Sequence, residues 1–166
     1  MDRLIGQRHP SLELALELLA HLRSEAEGRG VALAACVVDA AGHVVASQRM
    51  DGTALGAMRL AIGKAFTAVS WGTRTGDFTK STQPGGADWG WTTTDQRIVV
   101  YPGGLPLFVE GELVGGVGAS GAVIPGGPRR VQAEGGRGAP AFAPSRARPG
   151  CPCDRAGDVV TSSPER

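Results

Sequence analysis

The sequence has few of the residues on which metal clusters and disulfide frameworks depend. Only three cysteines and three histidines occur among 166 residues. No two histidines have the spacing of metal ligands on one helix, and the pair Cys151 and Cys153 is too little for a zinc site. Cys36 lies within an apolar run and is expected to be a small buried side chain. The residues by themselves therefore predict no metal centre built from protein ligands alone.

A strong charge of one sign and a long apolar run are also lacking. Lysine and arginine number 17 and aspartate and glutamate 16, which leaves a formal net charge of +1. The sequence has neither the basic, aromatic-rich surface pattern of nucleic-acid binding nor the roughly 18 consecutive apolar residues of a membrane-spanning helix. Residues 1–14 contain no apolar core of a secretory signal. We therefore expect no nucleic-acid partner, no membrane partner and a cytoplasmic location.

Glycine and proline, by contrast, are abundant and unevenly distributed. The chain has 26 glycines and 11 prolines, and 21 of the 45 residues from Ala122 to Arg166 are Gly, Pro or Arg. The prolines of this segment exclude a long continuous helix, and no hydrophobic period continues past Gly121. We predict a domain over residues 1–121 and a tail over residues 122–166 that is either disordered or translated out of frame.

Within residues 1–121 the hydrophobic period changes several times. Apolar residues recur at helical spacing over residues 11–28, with Ser11 as the N-cap, and again over residues 55–72. Five β-rich runs predict strands at residues 31–39, 43–51, 98–101, 105–109 and 112–121. This order predicts an α+β fold, with an antiparallel sheet of about five strands flanked by helices.

Residues 73–97 show no sustained period and predict a long loop, and loops of that length inside compact domains are often functional. Trp89 and Trp91 in this loop could form the wall of a site for an aromatic ligand. The glycine-rich run Gly115–Gly121 lacks the Lys-Ser/Thr ending of a P-loop and the downstream helix of a dinucleotide fold. We interpret its glycines as positions where another element approaches the strand backbone closely.

Lys64 is a candidate binding residue because its neighbours on one side of the second helix are mostly apolar. Leu60, Thr67 and Trp71 share that side, so the ammonium would be partly desolvated unless an anion meets it. A role in a pocket or interface and simple extension of the amine to solvent both fit the pattern.

Two other candidates have two interpretations each. His21 lies opposite the apolar stripe of the first helix, beside Glu17 and Glu25, and is either part of a solvated face or a ligand at an interface. Arg49 ends the second strand, where it either forms a turn-stabilising pair with Asp51 or contributes to binding.

Four segments in a fixed order resemble the GlcG/HbpS family of haem-degrading domains. They read VVDAAGHVVASQRMDG, AIGKAFTA, PGG and GELVGGVGASG, and the resemblance covers about residues 11–121. It implies a profilin-like sandwich that associates into homo-oligomers, and haem binding, as described for several members. After Gly121 the chain departs from the C-terminal helix of the family, which is why a shifted reading frame or a divergent tail is proposed for residues 122–166.

The resemblance also implies a set of haem-binding residues. Arg49 and Lys64 lie at matching positions and are expected to meet carboxylates such as haem propionates, with Thr67 beside them on the matched helix. A histidine of the first helix is an axial ligand in some members, which makes His21, or else His9, the candidate ligand for the haem iron.

Three functions remain open at this stage. The first is a haem-binding protein of the GlcG/HbpS type that degrades or senses haem. The second is a non-haem enzyme that acts on a small carboxylate or a natural-product intermediate in the same pocket, and the third is an accessory protein without chemistry of its own. Whether the chain is an enzyme is not decided by these residues.

Overall fold

Helices and strands follow one another in nearly the order that the hydrophobic period predicts. The computed structural model describes residues 6–123. The elements are α1 (Leu12–Gly28), β1 (Ala32–Asp39), β2 (Val44–Arg49), α2 (Ala57–Trp71), a 3₁₀ helix (Thr75–Phe78), α3 (Trp91–Thr94), β3 (Gly104–Val109) and β4 (Glu112–Val123). The predicted α+β class, with an antiparallel sheet flanked by helices, is confirmed.

The sheet has the order β2-β1-β4-β3, and every neighbouring pair is antiparallel. β1 is buried on both faces because α1 covers one face of the sheet and α2 covers the other. The alternate residues of β1 divide between two cores: Leu33, Ala35 and Val37 belong to the α1 core, and Ala34, Cys36 and Val38 to the α2 core. This two-sided burial explains why β1 is an almost continuous apolar run.

The first helix begins and ends where the sequence predicts. The Ser11 hydroxyl accepts a hydrogen bond from the backbone N–H of Leu14 at 3.1 Å, which satisfies one of the free donors of the first turn. At the other end, Gly30 adopts a φ of 64°, a conformation that favours glycine, and the chain then enters β1.

The strand expected at residues 98–101 is not formed, so the sheet of residues 6–123 has four strands rather than five. Threonine hydroxyls take the backbone hydrogen bonds that a neighbouring strand would have made. The Thr67 Oγ1 accepts from the N–H of Val99 at 2.8 Å, and the Thr75 Oγ1 donates to the carbonyl of Tyr101 at 2.7 Å. These partners are distant in sequence, so the local sequence pattern cannot predict these hydrogen bonds.

The glycines of β4 let α2 lie directly on the sheet, as the sequence predicts. A Cβ atom at Gly118 would clash with the Ala61 carbonyl oxygen and lie 2.6 Å from the Ala65 nitrogen. At Gly116 it would lie 2.6 Å from the Ala65 carbonyl oxygen. The interpretation of this run as a site of close backbone packing is therefore confirmed.

β4 continues to Val123, two residues past the predicted boundary at Gly121. The rest of the predicted tail, residues 124–166, lies outside the described residues, and its disorder or altered reading frame stays a prediction. Across residues 6–123, none of the helices combines the length and the apolar character that crossing a membrane requires.

Candidate functional site

An open cleft lies between α2 and the segment of residues 82–101. Its volume is about 1260 Å³, more than the roughly 300–1,000 Å³ of typical small-molecule sites. Both walls of the cleft are rich in apolar and aromatic side chains. α2 contributes Leu60, Ile62 and Phe66, and the facing segment contributes Trp89, Trp91 and Tyr101. The long loop of the sequence prediction therefore forms one wall of a cleft.

A cluster of aromatic rings attaches this wall to the end of α2. The centroid of the Trp91 ring lies 4.4 Å from that of the Trp71 ring and 4.9 Å from that of the Phe78 ring, and both contacts are edge to face. Such contacts stabilise beyond the area that they bury. Trp89, in contrast, lines the cleft and remains 63% exposed. Both tryptophans line the cleft, whereas their contact with a ligand stays a prediction.

Within the described part of the chain two arginines line the cleft, and they differ in their partners. The Arg97 guanidinium pairs with the Asp95 carboxylate at 2.6 Å and lies 4.1 Å over the Phe66 ring. The hydrogen bonds from Arg97 lower the pKa of Asp95. Arg59, on the first turn of α2, forms no ion pair within residues 6–123. Arg59 is therefore the cleft cation whose charge is open to a ligand.

Lys64 is buried between α2 and the sheet and does not line the cleft. Its side chain is 6% exposed, and its Nζ donates to the Ala119 carbonyl at 3.0 Å and to the Ser120 hydroxyl at 3.2 Å. Burial lowers the pKa of Lys64 to about 8. Gly103 provides the space, because a Cβ there would lie 3.2 Å from the Nζ. The amine therefore does not extend to solvent, and its predicted contact with a carboxylate ligand stays a prediction.

Thr67 joins α2 to the far wall of the cleft. Its side chain is fully buried, and its hydroxyl donates to the Gly63 carbonyl at 2.8 Å while it accepts from the Val99 N–H at 2.8 Å. The hydroxyl thus donates one hydrogen bond and accepts another within the protein. The residue positions the segment that carries Tyr101, and its predicted direct contact with haem stays a prediction.

We expect Thr67→Val to reduce the free energy of unfolding by about 1–3 kcal/mol, because the partly buried Val99 N–H loses its acceptor. Urea unfolding measures the loss. The matched control is Thr94→Val, which makes the same change at an exposed position and should leave the free energy within about 0.5 kcal/mol of wild type. Equal stabilities of the two variants would contradict a structural role of the hydroxyl.

The remaining two predicted site residues lie apart from each other. Arg49 pairs in register with Ala34 of the α2 core, so it lies on the α2 face of the edge strand β2, where it is exposed and forms no ion pair with Asp51 within the described chain. His21 is exposed on α1, which covers the opposite face. The sheet separates His21 from Lys64, and within one chain these two residues do not share a site. The assignment of His21 as an axial ligand stays a prediction.

Sequence reasoning missed Arg59 and Tyr101 as residues of the cleft. A signal for Arg59 was present, because Arg59, Ile62 and Phe66 recur at i, i+3 and i+7 and therefore share one side of α2. Tyr101 is the single tyrosine of the chain and directly precedes the Pro-Gly-Gly turn.

Comparison with known proteins gives a consistent set of similarities. Residues 11–125 match the family model described as "Haem degrading protein HbpS-like". A 15.0 kDa protein from the dhaT-dhaS intergenic region of Citrobacter freundii is 37% identical over 89 residues, which are 53% of this chain and 63% of that protein. The matched region thus spans less than two thirds of that relative's length.

Solved structures resemble the fold as well. The crystal structure of the Klebsiella pneumoniae protein ORFY has a TM-score of 0.71 and 30% identity, and the match covers 75% of this chain and 87% of that one. The crystal structure of a complex of PduOC with haem has a TM-score of 0.64 and 32% identity, with 70% and 86% covered.

Proposed function

Because the chain belongs to the HbpS-like family, we propose that it is a haem-binding protein. The observation that supports this most directly is its similarity to PduOC, whose crystal structure is a complex with haem. A haem group is a flat, largely apolar ring with carboxylates at its edge, and when bound it supplies an iron whose reactivity depends on the axial ligand and on the polarity of the surroundings.

The cleft fits a group of that kind. Its aromatic and aliphatic walls suit a flat apolar ring, and the Arg59 guanidinium suits a carboxylate, with which arginine forms charge-assisted hydrogen bonds. No histidine, lysine, aspartate or glutamate lines it within the described chain. The lining therefore offers few groups for proton transfer, so that binding or sensing of haem is supported better than its degradation.

Two further parts of the proposal come from the sequence. The family resemblance implies homo-oligomers, and Leu12 and Leu16, exposed one turn apart on α1, are suited to an apolar contact between chains. A cytoplasmic location stays a prediction.

Titration of the purified protein with hemin tests the proposal. We expect a saturable shift of the Soret band with about one hemin per chain at micromolar protein, because binding transfers the ring from water into the aromatic cleft. The same titration in urea, above the unfolding transition, is the control and should give no saturable shift. The absence of a shift for the folded protein would contradict the proposed function.

A second candidate is a haem-independent protein that binds a small carboxylate in the same cleft. Arg59 favours it, because its guanidinium forms no ion pair within residues 6–123 and suits any carboxylate. A rise in the melting temperature with small carboxylates, in a protein that gives no saturable hemin shift, would support this candidate.

A further inference from the structure

Tyr101 is the residue of the cleft that has the chemistry of a haem ligand. Haem iron in proteins is held by histidine, cysteine, methionine or tyrosine. Of these four types, only Tyr101 lines the cleft within residues 6–123. The three histidines of the sequence, His9, His21 and His43, are exposed and do not line it.

The backbone at Tyr101 is held in place although its side chain is 62% exposed. Its carbonyl accepts a hydrogen bond from the fully buried Thr75 hydroxyl, which itself accepts from the Gly104 N–H at 2.9 Å. Gly103 follows with a φ of 118° at the entry to β3. The phenol therefore belongs to an anchored turn that lines the cleft, and it makes no hydrogen bond of its own to residues 6–123.

Arg59 lines the same cleft as Tyr101 and can supply the positive charge that a haem carboxylate needs. The other lining arginine, Arg97, is already neutralised by Asp95 and covers Phe66, so its charge contributes to the fold of the wall. Arg59 has no such partner among the described residues, and Trp89 belongs to the same lining. A donor for iron, a cation for a carboxylate and a ring for stacking thus belong to one cleft.

From this arrangement we propose that the cleft between α2 and residues 82–101 is the haem site, that the Tyr101 phenol oxygen is the axial ligand and that Arg59 binds a haem carboxylate. This inference rests on the proposed function. It differs from the sequence-based assignment, because His21 lies across the sheet from this cleft.

Two probes separate ligation of iron from packing of the ring. Hemin and iron-free protoporphyrin share the ring and the carboxylates, but only hemin contains iron. Tyr101→Phe keeps the aromatic ring and is expected to weaken hemin binding at least about tenfold and to change the Soret position, since even supporting groups of metal sites are worth that much. Binding of protoporphyrin to this variant should remain that of wild type.

Arg59→Gln should weaken the binding of both probes by about tenfold, because each loses a charge-assisted hydrogen bond. The matched control is Arg23→Gln, an exposed arginine of α1 outside the cleft, which should bind both probes as wild type does. His21→Ala should also bind hemin with the wild-type affinity and spectrum. Thermal unfolding of each variant verifies that it is folded.

The outcomes distinguish the two levels of the proposal. Wild-type protein without saturable hemin binding would overturn the proposed function together with this inference. Wild-type binding that survives Tyr101→Phe with an unchanged spectrum, or that is lost in His21→Ala, would overturn the assignment of Tyr101 while haem binding stands. Equal affinities of Arg59→Gln and Arg23→Gln would overturn the role of Arg59.

Discussion

Gly118→Ala is expected to reduce the free energy of unfolding by about 2–3 kcal/mol, the upper range for overpacking of a core by a single small group. Gly118 lies in β4 between Cys36 of β1 and Gly104 of β3, at the centre of the sheet. The added Cβ would meet the backbone of α2 at Ala61 and Ala65, and backbone atoms of a helix cannot rotate away as a side chain can. The helix would have to move off the sheet as a body.

Gly28→Ala is the control for this substitution. The two variants make the same chemical change, so they restrict the unfolded chain equally, and only the native state differs between them. A Cβ at Gly28 would meet no atom of residues 6–123 within 4 Å. We expect this variant to stay within about 0.5 kcal/mol of wild type. Urea unfolding of the three proteins decides the matter, and a Gly118→Ala variant as stable as Gly28→Ala would contradict the close packing of α2 on β4.

The pH dependence of stability should reveal the buried amine of Lys64. Its pKa falls from an ordinary value of 10.5 to about 8 in the folded protein because burial disfavours the charged form. Between these two values the unfolded chain binds a proton that the folded chain has released, so the free energy of unfolding rises with pH. Below pH 8 both states are protonated and the contribution is constant. The full rise from this residue is about 3 kcal/mol.

Cys36 acts in the opposite direction at higher pH. Burial raises the pKa of its thiol from 9.0 to about 11, so the unfolded chain loses this proton first and the free energy of unfolding falls between those values. The window from pH 8 to 9 therefore shows the effect of Lys64 most directly. Above pH 9 the two contributions partly cancel in the wild-type protein.

Comparison with Lys64→Met removes this cancellation, because both proteins contain Cys36. We expect the difference in unfolding free energy between wild type and Lys64→Met to change by about 2.5 kcal/mol from pH 8 to 10.5, in favour of wild type. Lys64→Gln, which keeps a donor for the Ala119 carbonyl, is a second variant without the titrating amine and should behave in the same way. Urea unfolding across the range measures the difference. Parallel pH profiles of wild type and both variants would show that the amine is not held in a low-pKa environment.

Local patterns predicted those elements whose hydrogen bonds and burial are local or periodic. The first helix was expected at residues 11–28 and is found at Leu12–Gly28, because its cap and its apolar stripe lie within the segment itself. The prediction of a strand at residues 98–101, made from composition, is wrong. Hydroxyls of Thr67 and Thr75 make the backbone hydrogen bonds that a neighbouring strand would have made. A β-rich composition indicates that a segment can adopt an extended conformation, but it does not indicate that a partner strand is available.

The candidate site divides in the same way. The sequence places Lys64 among apolar residues of the second helix but leaves open whether its amine is desolvated or extends to solvent, and the structure shows that it is buried. It could not indicate that Ala119 and Ser120 would receive the amine, since that contact joins residues 55 and 56 positions apart. Nor could the sequence predict that His21 and Lys64 lie on opposite faces of the sheet, because helical periodicity does not indicate which face a helix will cover.

The sequence by itself thus determined the α+β class, the bounds of α1 and the close-packing glycines of β4, which depend on spacing between near neighbours. It also determined the family, which depends on four short motifs and their order along the chain. Only the tertiary structure decided that the sheet of residues 6–123 has four strands, that Lys64 points inward and that Arg59 and Tyr101 line one cleft. Each of these features depends on which segments distant in sequence come into contact. The free energy of such contacts is a property of the packed chain rather than of any local segment.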